Sequence, residues 1–356
     1  MKITPMNGFG SYGQFIDDAD FDNITDEEWM DIGRRHLKCL LTIFRNPKMT
    51  PDQWNDNIYK FGPGKSGSRM IHQKKYGRVP DALDPSTWEG LDADDLLSMQ
   101  AKKHMIEETE GGNVLSRVTG ERTKDGDLMG AFDEGDLGWH HNESGLIHFT
   151  PEVTLKGNND MIGSATCFLQ TVDYYESVSE SFRSELDEMV LLHKYKKGSI
   201  NNAEHTHDGL RYQVQMGFCP EDDAEVPAVC VSPGGARGLH WGVNTAYKIK
   251  GMSQSESDKL IDTINKELFV DEYIYDHHYK HDSDMLMFDN SVCLHRRLGG
   301  IPKRKAYRIQ YEPSNLMDEP YYPFAHMPEY NRAYIEKTNE LADLLQLKNF
   351  KRPVLN

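Results

Sequence analysis

The spacing of apolar and polar positions changes along this chain, and the changes separate helical flanks from a long strand-rich middle. The pattern predicts helices near 25–38, 50–61, 92–107, 172–192, 254–268 and 328–347, with strands concentrated between 113 and 312. Two helix starts carry capping boxes, Thr25 with Glu28 and Ser253 with Glu256. In such a box the cap hydroxyl takes the third amide and that residue's carboxylate returns to the cap. Val292, Cys293 and Leu294 read as a short buried strand after a turn at Asp289-Asn290. The stretches 62–90 and 196–225, rich in Gly, Lys, Asp and His, read as loops, and no internal repeat or low-complexity segment interrupts the pattern.

Composition narrows the class without naming a function. With 38 % apolar residues the 356-residue chain can bury a sizeable core, yet no apolar run is long enough to span a membrane. The opening residues, Met-Lys-Ile-Thr-Pro-Met-Asn-Gly, lack the apolar stretch of a secretory signal, so the cytoplasm is the expected location. Cys39, Cys167, Cys219, Cys230 and Cys293 are odd in number and scattered, which predicts reduced thiols and not a disulfide framework. A formal charge of −17, spread widely, argues against a nucleic-acid partner and favours a small molecule.

Chemistry enters with two distant segments, Trp139-His140-His141-Asn142-Glu143 and Asp289-Asn290-Ser291-Val292-Cys293-Leu294-His295. Together they supply two imidazoles and a carboxylate, a set that holds Fe(II) on one face and leaves the other open for substrate and O₂. Residues at i and i+2 on a strand share a face, so His141 and Glu143 can reach one metal, with His295 as the third ligand. The doublet leaves the register open: His140 follows the tryptophan directly, but it would put neutral Asn142 at the carboxylate position. Downstream, Arg304 and Arg308 stand four apart, and on a strand both face one side. An inward guanidinium needs an anion.

Taken in order, these motifs resemble the taurine dioxygenase and clavaminate synthase group of Fe(II)/2-oxoglutarate oxygenases, over roughly residues 25 to 315. The resemblance rests on Arg35 to Arg45, Met49 to Trp54, Phe61-Gly62, Val118 to Glu121, Gly138-Trp139, Gly163 to Phe168, Gly238 to Asn244, Gly251 to Asp258 and Asp284 to Asn290. It implies an α+β fold: one domain, 1–356, with a double-stranded β-helix (jelly-roll, cupin-like) core, flanking helices and long insertions. Its N-terminal helix-strand-helix would occupy 20–62, its core strands about 113–312 and its C-terminal helix about 328–347. Pro151, ten residues after His141, sits where relatives carry a proline, which favours His141 and Glu143 as the first two ligands. Glutamate there is the clavaminate-synthase form and argues against halogenation, where that carboxylate is missing. The resemblance implies that Thr166 and Arg304 bind the far carboxylate of the cosubstrate 2-oxoglutarate, and that Arg308 serves substrate or supports the site. It implies hydroxylation of an unactivated C–H bond of a small polar or anionic molecule, with release of succinate and CO₂. The family often forms dimers or tetramers, so a homo-oligomer fits. Segment 196–225, carrying His205 and His207, would form a lid.

Two other classes answer to parts of the same pattern. A Zn(II) hydrolase could use the same ligands but has no use for Thr166 and Arg304. A non-catalytic jelly-roll binding protein would need no metal. The cluster His277, His278 and His281 is expected at the surface.

Overall fold

Successive residues of one strand, Met285 to Phe288, enter two different cores, and that alternation shows how the molecule is layered. Leu286 and Phe288 join Val153, Leu155 and Phe168 in one core, while Met285 and Met287 join Trp29, Trp54 and Phe61 in another. The computed structural model describes residues 1–64, 67–130, 135–194, 224–299, 301–347 and 350–355. Its elements run β1 (Lys2–Pro5), β2 (Gln14–Asp17), α1 (Asp26–Cys39), β3 (Leu41–Phe44), α2 (Pro51–Phe61), α3 (Gly67–Tyr76), α4 (Ala93–Met105), β4 (Ile106–Glu108), β5 (Val114–Thr119) and β6 (Leu137–His140). They continue as β7 (Glu152–Asn159), β8 (Ala165–Gln170), α5 (Val172–Ser177), α6 (Glu180–Glu188), β9 (Val190–His193), β10 (Ala224–Pro227), β11 (Val229–Val231), β12 (Arg237–Leu239) and β13 (Ala246–Ile249). The last are α7 (Gln254–Leu268), β14 (Ile274–His278), β15 (Met285–Asp289), β16 (Cys293–Leu298), β17 (Lys305–Tyr311) and α8 (Pro328–Leu344).

The result is a mixed α and β fold built on a large sheet. Eight strands pair in the order β1-β2-β3-β15-β7-β17-β5-β4, and four more in the order β14-β8-β16-β6. Phe168 of β8 meets Phe288 of β15 with ring centroids 5.1 Å apart, so the two sheets share the first core. The outer face of the large sheet is closed by α1 and α2, where the Trp54 indole N–H donates to Thr154 of β7 at 3.3 Å. On β17, Ala306 lies in the core between the sheets, whereas Tyr307, Ile309 and Tyr311 lie under the helices. Arg308 therefore shares the inward face with Ala306.

Both predicted capping boxes form, and a third closes on Thr50 and Gln53 at the start of α2. Each cap is worth about 1 kcal/mol. Among the described residues no helix is long and apolar enough to cross a membrane.

Two predicted elements are corrected. The helix expected over 172–192 is broken into α5, α6 and β9. Ser179 is extended and caps the Phe182 amide, which ends one helix and starts another. Val190 to His193 pair on both sides, with β10 and β13. Three consecutive apolar residues satisfy a strand with two neighbours as well as a helical period does, so the pattern was ambiguous. The loop expected over 62–90 contains α3, whose Lys, Gln and Ser content lacks an apolar stripe. The expected lid over 196–225 falls, except for Ala224 and Glu225 of β10, outside the described residues.

Candidate metal centre

The strand ladder brings together two imidazoles that are remote in sequence. In the β6–β16 pairing His295 is registered on His140, and their ring centroids are 4.2 Å apart. Alternation explains the shared direction: neighbouring Trp139 and Arg296 pack on each other on the other face, the guanidinium 4.5 Å from the indole ring. His295 also lies against Phe288 at 4.7 Å, in the core between the sheets. Burial pushes His140 down to about 4, and pushes His295 well below the ordinary histidine value, with His140, His141 and Arg308 adding to the effect. Both rings are therefore neutral near pH 7, as metal ligation requires.

His141 stands one residue past β6 and is held differently. Its Nδ1 lies 2.9 Å from the Asn290 carbonyl, which accepts an N–H and makes Nε2 the lone-pair nitrogen. That Nε2 is buried without a hydrogen-bond partner, as are Nδ1 of His295 and Nε2 of His193 and His240. Asn290 itself fastens the 142–150 loop to the β15–β16 turn. Its Oδ1 accepts from the Asn142 amide at 2.8 Å, and its Nδ2 donates to the carbonyls of Asn142 and Thr150 at 2.9 and 2.8 Å. Asp289 shapes the same turn by accepting the amides of Ser291 and Val292 at 2.7 and 2.8 Å.

Glu143 has a left-handed backbone, φ 62°, uncommon for a residue with a side chain. Its Oε2 accepts the Thr150 amide at 2.8 Å. The structure thus gathers His140, His141 and His295, while Glu143 is turned onto the backbone of its own loop. Among the described residues no three His, Cys, Asp or Glu side chains already stand in a ligating arrangement. The donor chemistry nonetheless fits a divalent metal, because buried neutral imidazoles with unused lone pairs are costly unless something accepts them.

Two further histidines belong to this neighbourhood and were not singled out from the sequence. His240 stacks between His141, at 4.5 Å, and Phe149, at 4.3 Å, with its Nδ1 2.9 Å from the Ser291 carbonyl. His193, at the end of β9, holds Thr245 Oγ1 at 2.8 Å. The only available signal was the histidine inside Gly238-Leu239-His240-Trp241; for His193 there was none.

A second buried polar cluster adjoins β8. Arg304 is 2 % exposed, with Nε 3.0 Å from Ser164 Oγ, Nη2 3.4 Å from Thr166 Oγ1 and its guanidinium 5.6 Å from the Tyr279 ring. No carboxylate pairs with it in the ion pairs of the described residues. A buried guanidinium among neutral hydroxyls, with no counter-charge among the described residues, suits an anionic ligand. Arg308 is half-buried on the same side of β17, close enough for its charge to disfavour protonation of His140 and His295. The surface expected for His277 is overturned. It is 4 % exposed, pairs across the ladder with Thr166, and sets Nε2 3.2 Å from Asp284. Apolar positions do not mark such a site, because a carboxylate partner makes the burial tolerable. His205 and His207 lie outside the described residues.

The family model described as taurine catabolism dioxygenase TauD, TfdA family matches residues 2–310. A comparison with curated proteins finds no significant match. Among solved structures, AAD-2 in complex with Mn(II) and N-oxalylglycine is similar at 16 % identity, covering 87 % of this chain and 96 % of that one, with a TM-score of 0.56. A taurine dioxygenase from Burkholderia xenovorans is similar at 15 % identity over 87 % and 88 % of the two chains, TM-score 0.56. At such identities the structural likeness speaks for the fold.

Proposed function

The chain belongs to the taurine catabolism dioxygenase TauD, TfdA family, and from that premise we propose which of its residues carry the reaction and what kind of molecule it oxidises. The family makes it an Fe(II)- and 2-oxoglutarate-dependent dioxygenase. We assign the metal to His141, Glu143 and His295. In support, His141 is held through Nδ1 with its other nitrogen unpartnered, and His295 lies close enough to feel its charge. The unusual backbone of Glu143 supports a role for that residue, since strain of this kind costs about 1–3 kcal/mol and tends to persist at functional sites.

Arg304 and Thr166 are assigned to the far carboxylate of 2-oxoglutarate. The buried, carboxylate-free surroundings of Arg304 are the single observation that carries this reading. Bound at this site, Fe(II) and 2-oxoglutarate would supply the oxidising chemistry, in which O₂ and the 2-oxo acid give succinate and CO₂ and one oxygen enters a substrate C–H bond. The protein's share is positioning. Asn290 orients His141, Phe288 and Phe149 keep the pocket apolar, and Arg308 faces the side where a polar or anionic substrate group would sit. We read the two sheets as a jelly roll within one domain, a reading supported by the Phe168–Phe288 contact between them. Cys39, Cys167, Cys230 and Cys293 are unpaired, which suits a reducing compartment such as the cytoplasm.

The test is anaerobic addition of Fe(II) and 2-oxoglutarate with the visible spectrum recorded. A weak metal-to-ligand charge-transfer band is expected; its absence from iron-loaded protein would overturn the assignment. One observation favours a second reading of the first ligand. His140, not His141, stands directly across from His295, and choosing it places Asn142 at the carboxylate position.

A further inference from the structure

The pocket around Arg304 contains one more hydroxyl than Thr166 and Ser164 provide. Tyr279, just beyond β14, sets its OH 2.9 Å from Thr166 Oγ1 while its ring lies beside the guanidinium. All four residues are buried, none more than 3 % exposed. Tyr279 is also firmly placed. Its amide donates to the Ser164 carbonyl at 3.3 Å, and its ring meets His277 edge-on at 4.8 Å. Behind it, His277 is fixed by Asp284, whose other oxygen accepts the Asn46 amide at 2.8 Å.

A count of hydrogens shows what this arrangement lacks. Thr166 and Tyr279 carry two hydroxyl hydrogens, and a single hydrogen bond between them uses one. Arg304 donates and cannot accept. Ser164 directs its own hydrogen to the Met161 carbonyl at 2.7 Å while receiving Arg304 Nε. Among the described residues, one hydroxyl hydrogen and the remaining guanidinium N–H groups find no acceptor in these contacts, an arrangement suited to a negatively charged ligand.

We propose that Tyr279 is a third carboxylate-binding group of this pocket: its hydroxyl, shared with Thr166 when the pocket is empty, bonds the far carboxylate of 2-oxoglutarate and helps select a 2-oxo acid that has one. This rests on the assignment of the pocket to 2-oxoglutarate. A tyrosine that only filled space would contribute equally to a cosubstrate with an apolar end. One that binds the carboxylate favours the acid alone.

Two ligands separate these roles: 2-oxoglutarate, and 2-oxopentanoate, in which a methyl group replaces the far carboxylate. Each is titrated anaerobically into the Fe(II)-loaded wild type, Tyr279→Phe and Thr166→Val proteins, following the charge-transfer band. Tyr279→Phe is expected to weaken 2-oxoglutarate about ten-fold, the effect of losing a hydrogen bond to a charged group. It should leave 2-oxopentanoate within about two-fold, which also shows that the variant is folded, and Thr166→Val should shift the same ratio. Unchanged 2-oxoglutarate binding by Tyr279→Phe, or equal losses for both ligands, would overturn the proposal. If the iron-loaded wild type binds neither acid, the assignment of the pocket fails, and this proposal with it.

Discussion

His140 and His295, 155 positions apart, are direct partners across the β6–β16 ladder, and their rings lie 4.2 Å from each other. Because both are buried and neutral, a divalent ion binding between their strands should stabilise the folded state by mass action. Fe(II) or Co(II) under anaerobic conditions is expected to raise the melting temperature of the wild type. His295→Ala should remove that increment. An increment that survives the substitution places the metal elsewhere.

The doublet itself can be resolved by the same spectrum that tests the assignment. With His141 as ligand, His141→Ala loses the charge-transfer band and His140→Ala keeps it. The reverse outcome assigns the metal to His140 and makes Asn142, not Glu143, its neighbour in the coordination sphere.

Arg304 is surrounded by hydroxyls and has no carboxylate partner among the ion pairs of the described residues. Replacing a buried, uncompensated charge with an apolar side chain of similar length need not destabilise a protein. Arg304→Met should leave the thermal midpoint of the metal-free protein unchanged or higher, while weakening 2-oxoglutarate by at least about 100-fold. A clear drop in midpoint would show that the guanidinium holds the fold and not a ligand.

Asn290 joins the His141 loop to the β15–β16 turn through three side-chain hydrogen bonds of 2.8 to 2.9 Å. Asn290→Ala leaves two buried carbonyls and one amide without partners, a loss of about 2–4 kcal/mol in urea unfolding. Metal affinity should fall by about 10–100-fold, as for other residues that orient a ligand. Unchanged metal binding in a folded variant would dissociate this loop from the centre.

Burial, aided by His240, pushes His193 down to about 3. Its folded value lies below its unfolded value near 6.5, so its contribution to stability is complete above about pH 6.5 and is lost as pH falls toward 3. The loss is about 1.4 kcal/mol per pH unit in that window. Urea midpoints of wild type and His193→Gln should therefore converge on going from pH 7.5 to 5. Parallel lines would mean that His193 is not buried as a neutral ring.

Local signals were legible in the sequence where they depend on neighbours in the chain. The capping boxes at Thr25 and Ser253 form, and Val292, Cys293 and Leu294 are buried as read, with Cys293 and Leu294 opening β16 and Val292 in the turn before it. The spacing of Arg304 and Arg308 also foretold a common side, although Arg304 stands one residue before β17: it meets Ser164 and, on the facing sheet, Thr166, and Arg308 lies near His140 and His295. Where a segment satisfied two periods, as at 172–192, only pairing with β10 and β13 chose between them.

The order of the motifs along the chain was enough to bring out the resemblance to the dioxygenase family, because residue types and their spacing are written in the sequence whatever the fold. Which atoms meet was decided only by tertiary structure. Strand register set His295 opposite His140, and β14 pairing on β8 carried Tyr279 to Thr166, 113 residues away. Burial with a carboxylate partner hid His277, and packing against Phe149 and His141 drew in His240. Such contacts depend on distances between strands remote in sequence, and the one-dimensional pattern of apolar and polar residues carries no term for them.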